Sequence, residues 1–543
     1  MSKTRLPSTE QRSILSCFPY GIGYGPDGVS LLLRLGPYRI LLDCGLSDLT
    51  PLLTQGMAPA DAVFCSHAHS DHARGLLGLH ECFPKLPIYA SGVTTQLLSL
   101  NWLNEKIAPD WCRPLQWRSP IQLFENLSVE LFSAGHLPGA AMILLTYELP
   151  NRTYKVLYTG DFSLSNLQLV EGVSIETLRG LNPDVLITES SYGTKRHPHR
   201  RQQEKQLMQQ IDQALQGGQS VLFPVPILGI GQEILKLLRS HHQFTGRDLD
   251  IWVTGNLIQT CDRYEELLSQ LPIAVQNFAK HQPLFWDDRV YPRLRPLHTE
   301  STFDLGEKPC VVLTDQLVPF LSSQTAPRPW QILLPEDHPD GIIRDLASLP
   351  QSEFLQKSTY LLAEHSDGRN TTQLIHNLRP QHIVFVHGSP SDIGDLTSLV
   401  ELQSRYQLHS PANNTLVELP IGEKFIQPAP PVITLYGGEV NEIDSAIAVT
   451  LDDTITQDPR WYPFADTGLI EARWQGDELV LRGISQRELR SQAQEEKRLD
   501  DLDCCSNCLH YRHQRCWNQR SPLAGFRVTP EGHCPVFEAL PES

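Results

Sequence analysis

The sequence has no apolar run approaching the roughly 18–20 residues of a spanning helix, which argues against a helical membrane protein. Its start, MSKTRLPSTEQRS, is polar and lacks the apolar segment of a secretory leader, so a cytoplasmic protein is expected. Repeats of fixed period and low-complexity tracts are lacking too, which argues against solenoids and fibrous chains. Positive charge is scarce: 45 Lys and Arg face 62 Asp and Glu, for a formal charge of −17. Chains that grip nucleic acid over a broad surface are usually basic, because phosphates must be neutralised, so any such contact here has to be local. What is present is ordinary globular composition, 40% hydrophobic and 20% charged over 543 residues, enough for several domains.

Short apolar runs alternate with helix-like segments from about residue 28 to 420. VSLLLRL (29–35) and YRILL (38–42), joined by Gly36-Pro37, read as a hairpin. Further strand-like runs lie at 62–65, 142–147, 154–158, 185–187, 220–225, 310–313, 360–362 and 382–386. Between them Leu207, Ile211 and Leu215 recur every four residues within 200–216, and Ile230, Ile234 and Leu238 do so within 230–239. This mixture predicts a layered α/β fold. The Pro-rich stretch PAPPV (428–432) marks a boundary, followed by strand-like pieces within 440–490 and a charged connector at 485–503.

The densest chemistry is SHAHSDHARG at 66–75, which puts His67, His69, Asp71 and His72 within six residues directly after the run AVFC. Neutral imidazoles and a carboxylate suit Zn²⁺ or Mn²⁺. Three further potential ligands also follow strand-like runs with glycine beside them: His136 in SAGH, Asp161 in TGD and His387 in VHG. Asp43 closes the strand YRILL in the same way. Strand ends are where α/β folds gather sites.

These segments resemble the metallo-β-lactamase fold, with its HxHxDH loop and later His, Asp and His, over about 28–165 and 355–420. The resemblance implies an αββα sandwich. It implies one metal on His67, His69 and His136, a second on Asp71, His72 and His387, Asp161 bridging them, and Asp43 orienting ligands by hydrogen bonds. Redox members of that superfamily carry Glu at the position of His69, so the loop favours hydrolysis. Between Asp161 and His387 lie 225 residues, which implies an inserted domain. PDVLITESSYG (183–193), GGQSVLFPVPILGIGQE (217–233), AEHSDG (363–368) and VHG resemble, in order, the motifs of the β-CASP nucleases. On that basis Glu189, His365 and His387 take the family's motif A, B and C positions, and His387 leans towards RNA. Two departures lie on the cap: Ile230 stands where the family has Arg in GRxQE, and TDQLVP replaces a Gly-Met turn.

The domain expectations are a core at 1–195 and 356–428, a β-CASP cap at 196–355, a small β-rich module at 432–490 and a Cys-rich tail at 500–543. The expected activity is a two-metal (Zn or Mn) ribonuclease acting on single-stranded RNA, with His365 as proton donor and Glu189 supporting it. Rival expectations are a hydrolase of DNA or a small phosphodiester and a silent RNA-binding scaffold. Lys195, Arg196, Arg200 and Arg201 are candidates for a local phosphate patch, the alternative being the solvated start of a helix. No membrane partner is expected, and a homo-oligomer is allowed.

The twelve cysteines suit a reducing compartment, and five of them crowd into 504–534. Cys505, Cys508, Cys516 and Cys534 would hold Zn or an iron–sulfur cluster, with Cys504, His510, His513 and His533 as rival ligands. The scattered seven are expected to be small core residues or inert surface thiols.

Overall fold

The structure, a computed structural model, describes residues 14–24, 27–53, 56–108, 110–298, 305, 308–322, 328–336, 354–422, 438–443, 446–451, 470–475, 478–483, 508–512, 515–520, 528 and 538–539. The chain separates into a unit ending at Ile433 and another beginning at Thr434.

The first unit opens with β1 (Leu15–Ile22), β2 (Val29–Leu35), β3 (Tyr38–Leu42), β4 (Ala62–Phe64), β5 (Ile88–Ser91), β6 (Arg113–Leu115), β7 (Ile121–Phe124), β8 (Leu127–Ser133), β9 (Ala141–Leu149), β10 (Arg152–Tyr158) and β11 (Val185–Glu189). The expected hairpin is β2–β3, antiparallel with Leu35 opposite Tyr38. After β12 (Ser220–Pro224), β13 (Asp250–Thr254), β14 (Arg293–Leu297), β15 (Val311–Thr314), β16 (Trp330–Pro335) and β17 (Leu355–Tyr360), the unit ends with β18 (His382–Val386), β19 (Gln407–His409) and β20 (Val417–Glu418).

Three sheets result. Two have seven strands each, ordered β20-β1-β2-β3-β4-β5-β6 and β19-β18-β11-β10-β9-β8-β7. They pack face to face because alternate residues point inward: Leu31, Leu33, Ile40 and Phe64 from one meet Val129, Ile143, Leu145, Val156, Val185 and Val384 from the other in one buried cluster. Their outer faces pack under helices in a second buried cluster, giving the αββα sandwich that the resemblance implies. A metallo-β-lactamase-type α/β fold is therefore what this chain adopts.

The third sheet, β14-β13-β15-β12-β16-β17, is parallel throughout. Parallel sheets are covered on both faces. Here Val221, Phe223, Ile251 and Val253 pack with Leu207, Ile211, Ile234 and Leu238 of the helices Arg200–Gln216 and Ile230–Ser240. On the other face Leu222, Val312, Phe320, Trp330 and Ile332 form a separate cluster. The strand expected at 360–362 lies earlier, at Leu355–Tyr360, where it extends this sheet beside β16.

Register decides what meets at the strand ends. β11 lies between β10 and β18, parallel to both, with Tyr158 opposite Ile187 and Glu189 opposite Val386. The residues just past these strands (Asp161, Ser191, His387) therefore emerge side by side. In the other sheet β3 and β4 are parallel with Leu42 opposite Phe64, which sets Asp43 beside Ser66 and His67. Hydrogen bonds from Ala141 N to Ser66 O (2.9 Å) and from His387 N to Ile22 O (2.6 Å) tie the two edges together.

The second unit contributes two antiparallel hairpins, Gly438–Ile443 with Ala446–Leu451 and Ile470–Gln475 with Glu478–Gly483, within the range read as β-rich. A small hairpin pairs Tyr511 with Cys516. The connector at 485–503 lies outside the described residues.

Candidate metal centre

The loop 66–75 starts two residues after the end of β4 and turns at once into the helix Ser70–Ala73. That tight turn requires close backbone approach. Gly45 supplies it: a Cβ there would lie 1.6 Å from the carbonyl oxygen of Asp71.

His67, His69, His136 and Asp161 form one group, and Asp71, His72 and His387 another, each with its potential donor atoms within 4.8 Å of one another. All seven sequence-named ligands are thus brought together. In the first group Nδ1 of His69 lies 3.1 Å from Nε2 of His67 and 3.1 Å from Nε2 of His136. Asp161 Oδ2 faces both groups, 3.5 Å from His67 Nε2, 3.8 Å from His136 Nε2 and 3.3 Å from His72 Nε2.

The outer hydrogen bonds fix which nitrogen faces inward. His136 Nδ1 is 3.0 Å from the carbonyl oxygen of Glu364, which can only accept, so Nδ1 donates and Nε2 keeps its lone pair. His72 Nδ1 donates to Asp43 Oδ2 (2.8 Å), again leaving Nε2 inward. Ser191 Oγ donates to a Glu189 carboxylate oxygen and so accepts from His387 Nδ1 (2.9 Å); His387 Nε2 then meets Asp71 Oδ2 at 3.1 Å. Several nitrogens and an unshared carboxylate oxygen converge with nothing between them. Buried Nε2 of His72 and Oδ1 of Asp161 have no hydrogen-bond partner. Such orphaned atoms are costly unless something satisfies them. This donor set fits the binding of divalent metal.

The electrostatics divide the cluster: against the lowering by burial, the carboxylates of Asp161 and Asp71 carry His72 well up and His387 up in the metal-free protein, so a cation held there would displace a proton from each. Burial, then the neighbouring imidazoles, push His67 and His136 well down, and burial lowers His69, so all three are neutral, as ligands must be. Burial would raise Asp71 and Asp161. The imidazoles around them win, His72 first for Asp71 and His387 first for Asp161, and both are held well below the usual carboxylate range.

Asp43 is fully buried, with φ +59°, and accepts from Ser66 N (2.6 Å), Ser66 Oγ (2.7 Å), Tyr158 OH (2.6 Å) and His72 Nδ1. Breaking a buried network of this kind costs roughly 3–5 kcal/mol. Asp43→Ala is expected to lose on the order of 3 kcal/mol of metal-free stability in urea unfolding. Asp43→Asn should lose less, since Asn tolerates the left-handed backbone and retains one acceptor. Equal stability of wild type and Asp43→Ala would show that the network is idle.

Beside the ligands lies a third group, Asp161, Glu189 and His365. His365 Nδ1 is 2.8 Å from Glu189 Oε2 and 3.9 Å from Asp161 Oδ2, and its ring lies 4.6 Å from that of His136. Glu189 is held by Phe162 N on Oε1 (2.6 Å) and by Ser191. Burial alone would lower His365, but the charge of Glu189 and the hydrogen bond to it, with Asp161 and Glu364, carry it up to about 10.

Sequence reasoning missed Ser66, Tyr158, Ser191 and Glu364. Each stands inside or beside a motif (SHAHSDH, YTGD, ESSYG, AEHSDG), which was the only available signal. One expectation needs correction. Arg200 is not part of an exposed phosphate patch: it is 4% exposed, and its guanidinium bonds Ala363 O, Glu204 and Glu233. Lys195, Arg196 and Arg201 are exposed. Ile230, standing where the resemblance expects Arg, is buried at the helix start, and it is Arg200 that pairs with Glu233 of that segment.

Of the proposed tail ligands, Cys508, His510 and Cys516 are described, the first two half-buried and Cys516 buried, with His510 Nε2 2.8 Å from Glu538 Oε2; Cys504, Cys505, Cys534, His513 and His533 lie outside the described residues. Among the described residues before the tail, six of the seven scattered cysteines are buried and Cys82 is exposed. No described helix is long and apolar enough to cross a membrane.

Residues 38–220 match the beta-lactamase superfamily domain. An uncharacterized protein of Synechocystis sp. is 54% identical, covering 97% of this chain and 98% of that one. An RNase J-like protein of Methanocaldococcus jannaschii is 30% identical over 51% of this chain and 65% of its own length. Cleavage and polyadenylation specificity factor 73 of Drosophila melanogaster is 26% identical over 76% of this chain and 66% of its own.

Proposed function

Because this chain belongs to the β-CASP family of metallo-β-lactamase-fold proteins, we propose that it is a metal-dependent ribonuclease that hydrolyses phosphodiester bonds in single-stranded RNA. The observation that carries this reading is the His365–Glu189 pair standing directly against the seven-residue ligand cluster. A ligand cluster alone serves many reactions; a protonated imidazole beside it suits a reaction that needs a leaving oxygen to be protonated.

His67, His69, His136 and Asp161 would hold one divalent cation, zinc or manganese, and Asp71, His72, His387 and Asp161 the second. Bound there, two such ions would activate a water and stabilise the charge of an in-line displacement at phosphorus. The protein does the rest. Glu189 binds His365 through Nδ1, which leaves Nε2 as the nitrogen that gives its proton to the leaving 3′-oxygen. Ser191, joined to both Glu189 and His387, keeps the donor and the ligand in one register. Lys195, Arg196 and Arg201 are the remaining candidates for steering phosphates towards the centre, and a short basic stretch of this size is what a chain of charge −17 allows.

The sheet of β12–β17 with its helices is the proposed β-CASP cap; because β17 (Leu355–Tyr360) belongs to that sheet, the insert runs from about 196 to about 360, and the core resumes after Tyr360 rather than at the expected 356. A zinc or iron–sulfur site on Cys505, Cys508, Cys516 and Cys534, a cytoplasmic location and homo-oligomerisation complete the proposal.

End-labelled single-stranded RNA and DNA of one sequence separate the reading from its rivals. The expected result is metal-dependent cleavage of the RNA, abolished in Asp71→Asn. Preferential DNA cleavage would move the substrate class, and cleavage unaffected by Asp71→Asn would place the activity elsewhere.

A further inference from the structure

We propose that Glu364 is a positioning residue of the metal centre: its carboxylate accepts the Nε2 proton of His69, directly or through one water, and fixes the tautomer in which Nδ1 faces the metal. The inference rests on reading His69 as a ligand.

His69 differs from the other histidines of the cluster. His67, His72, His136 and His387 each have their outward nitrogen against a named partner, namely Ser66 Oγ (3.0 Å), Asp43, the Glu364 carbonyl and Ser191. His69 is reversed, with Nδ1 turned into the cluster. A neutral ring with its lone pair on Nδ1 carries its proton on Nε2. That Nε2 is buried and has no hydrogen-bond partner. Metal-bound histidines nearly always donate their second N–H to a carboxylate, a carbonyl or water.

The acceptor is at hand. Glu364 Oε1 is also buried and without a partner. Both atoms border the space over Gly229, where a Cβ would lie 2.7 Å from Glu364 Oε1 and 3.2 Å from His69 Nε2. Gly229, at φ +97°, leaves that space clear of side chain, and two hydrogen-bond legs of about 2.8 Å span it. The main chain of Glu364 already holds His136. One residue thus secures two of the three imidazoles of the first group, one through its carbonyl and one through its side chain.

Metal binding tests this without substrate. Metal-free wild type, Glu364→Ala and Glu364→Gln are titrated with Zn²⁺ against a competing chelator, and the thermal midpoint of each metal-free protein is measured. Glu364→Ala should bind one zinc equivalent about 10-fold or more weakly. Glu364→Gln, whose amide oxygen still accepts, should stay within a few-fold of wild type. The metal-free midpoint of Glu364→Ala should not fall, because the change removes a buried carboxylate whose Oε1 has no partner. Wild-type zinc affinity in Glu364→Ala would overturn the inference while leaving the nuclease reading intact. A matching loss of metal-free stability would overturn it in favour of a packing role. A wild type that takes up no zinc would overturn both the inference and the reading beneath it.

Discussion

Asp161→Asn is expected to abolish RNA cleavage, with a fall on the order of 10³-fold or more, and to release metal from both positions. The size follows from the geometry. Asp161 Oδ2 lies within 4 Å of His67, His72 and His136, and Oδ1 lies 3.7 Å from His387 Nδ1. Metal charge stabilisation supplies several kcal/mol of transition-state binding, at about 1.4 kcal/mol per factor of ten. An amide keeps the volume of the carboxylate and loses the anion that both groups share. The checks are turnover on labelled RNA and elemental analysis of the purified variant. Retention of two metals would show that Asp161 does not bridge.

His365→Ala should separate chemistry from metal binding. Loss of a general acid lowers turnover by roughly 10²–10⁴-fold. His365 lies outside the seven-residue ligand set, so metal content should be unchanged and substrate affinity nearly so. The pH profile carries a second signature. A proton donor must be protonated, so wild-type turnover should hold while His365 keeps its proton and fall as pH rises through its pKa. Glu189 and its neighbours carry that pKa up to about 10 without metal, and bound cations would bring it lower. In His365→Ala this alkaline limb should vanish. An unchanged limb would assign the donor to another group.

The ligand set was legible because it is local or carries a local mark. His67, His69, Asp71 and His72 sit in one turn, and His136, Asp161 and His387 each follow a strand with glycine adjacent. The layered α/β character was legible for a similar reason, since alternation and short apolar runs mark the strands, whereas the αββα order came from the resemblance to the metallo-β-lactamase fold. What escaped depends on register between distant strands. Ser191 serves the site only because β11 lies beside β18, and Tyr158 reaches Asp43 only across the sandwich. Glu364 acquires its surroundings from loops near positions 69, 136 and 229. Arg200 was misread because its partners, Glu233 and Ala363 O, are far along the chain, while its neighbours in sequence are exposed basic residues.

The clustered histidines and aspartates are proposed to hold two metal ions about one bridging carboxylate. An anomalous difference map from crystals grown with Zn²⁺ tests it most directly. Two peaks about 3.5–4 Å apart are expected, one among His67, His69 and His136, the other among Asp71, His72 and His387, with Asp161 between them. A single peak, or peaks away from Asp161, would contradict that proposal.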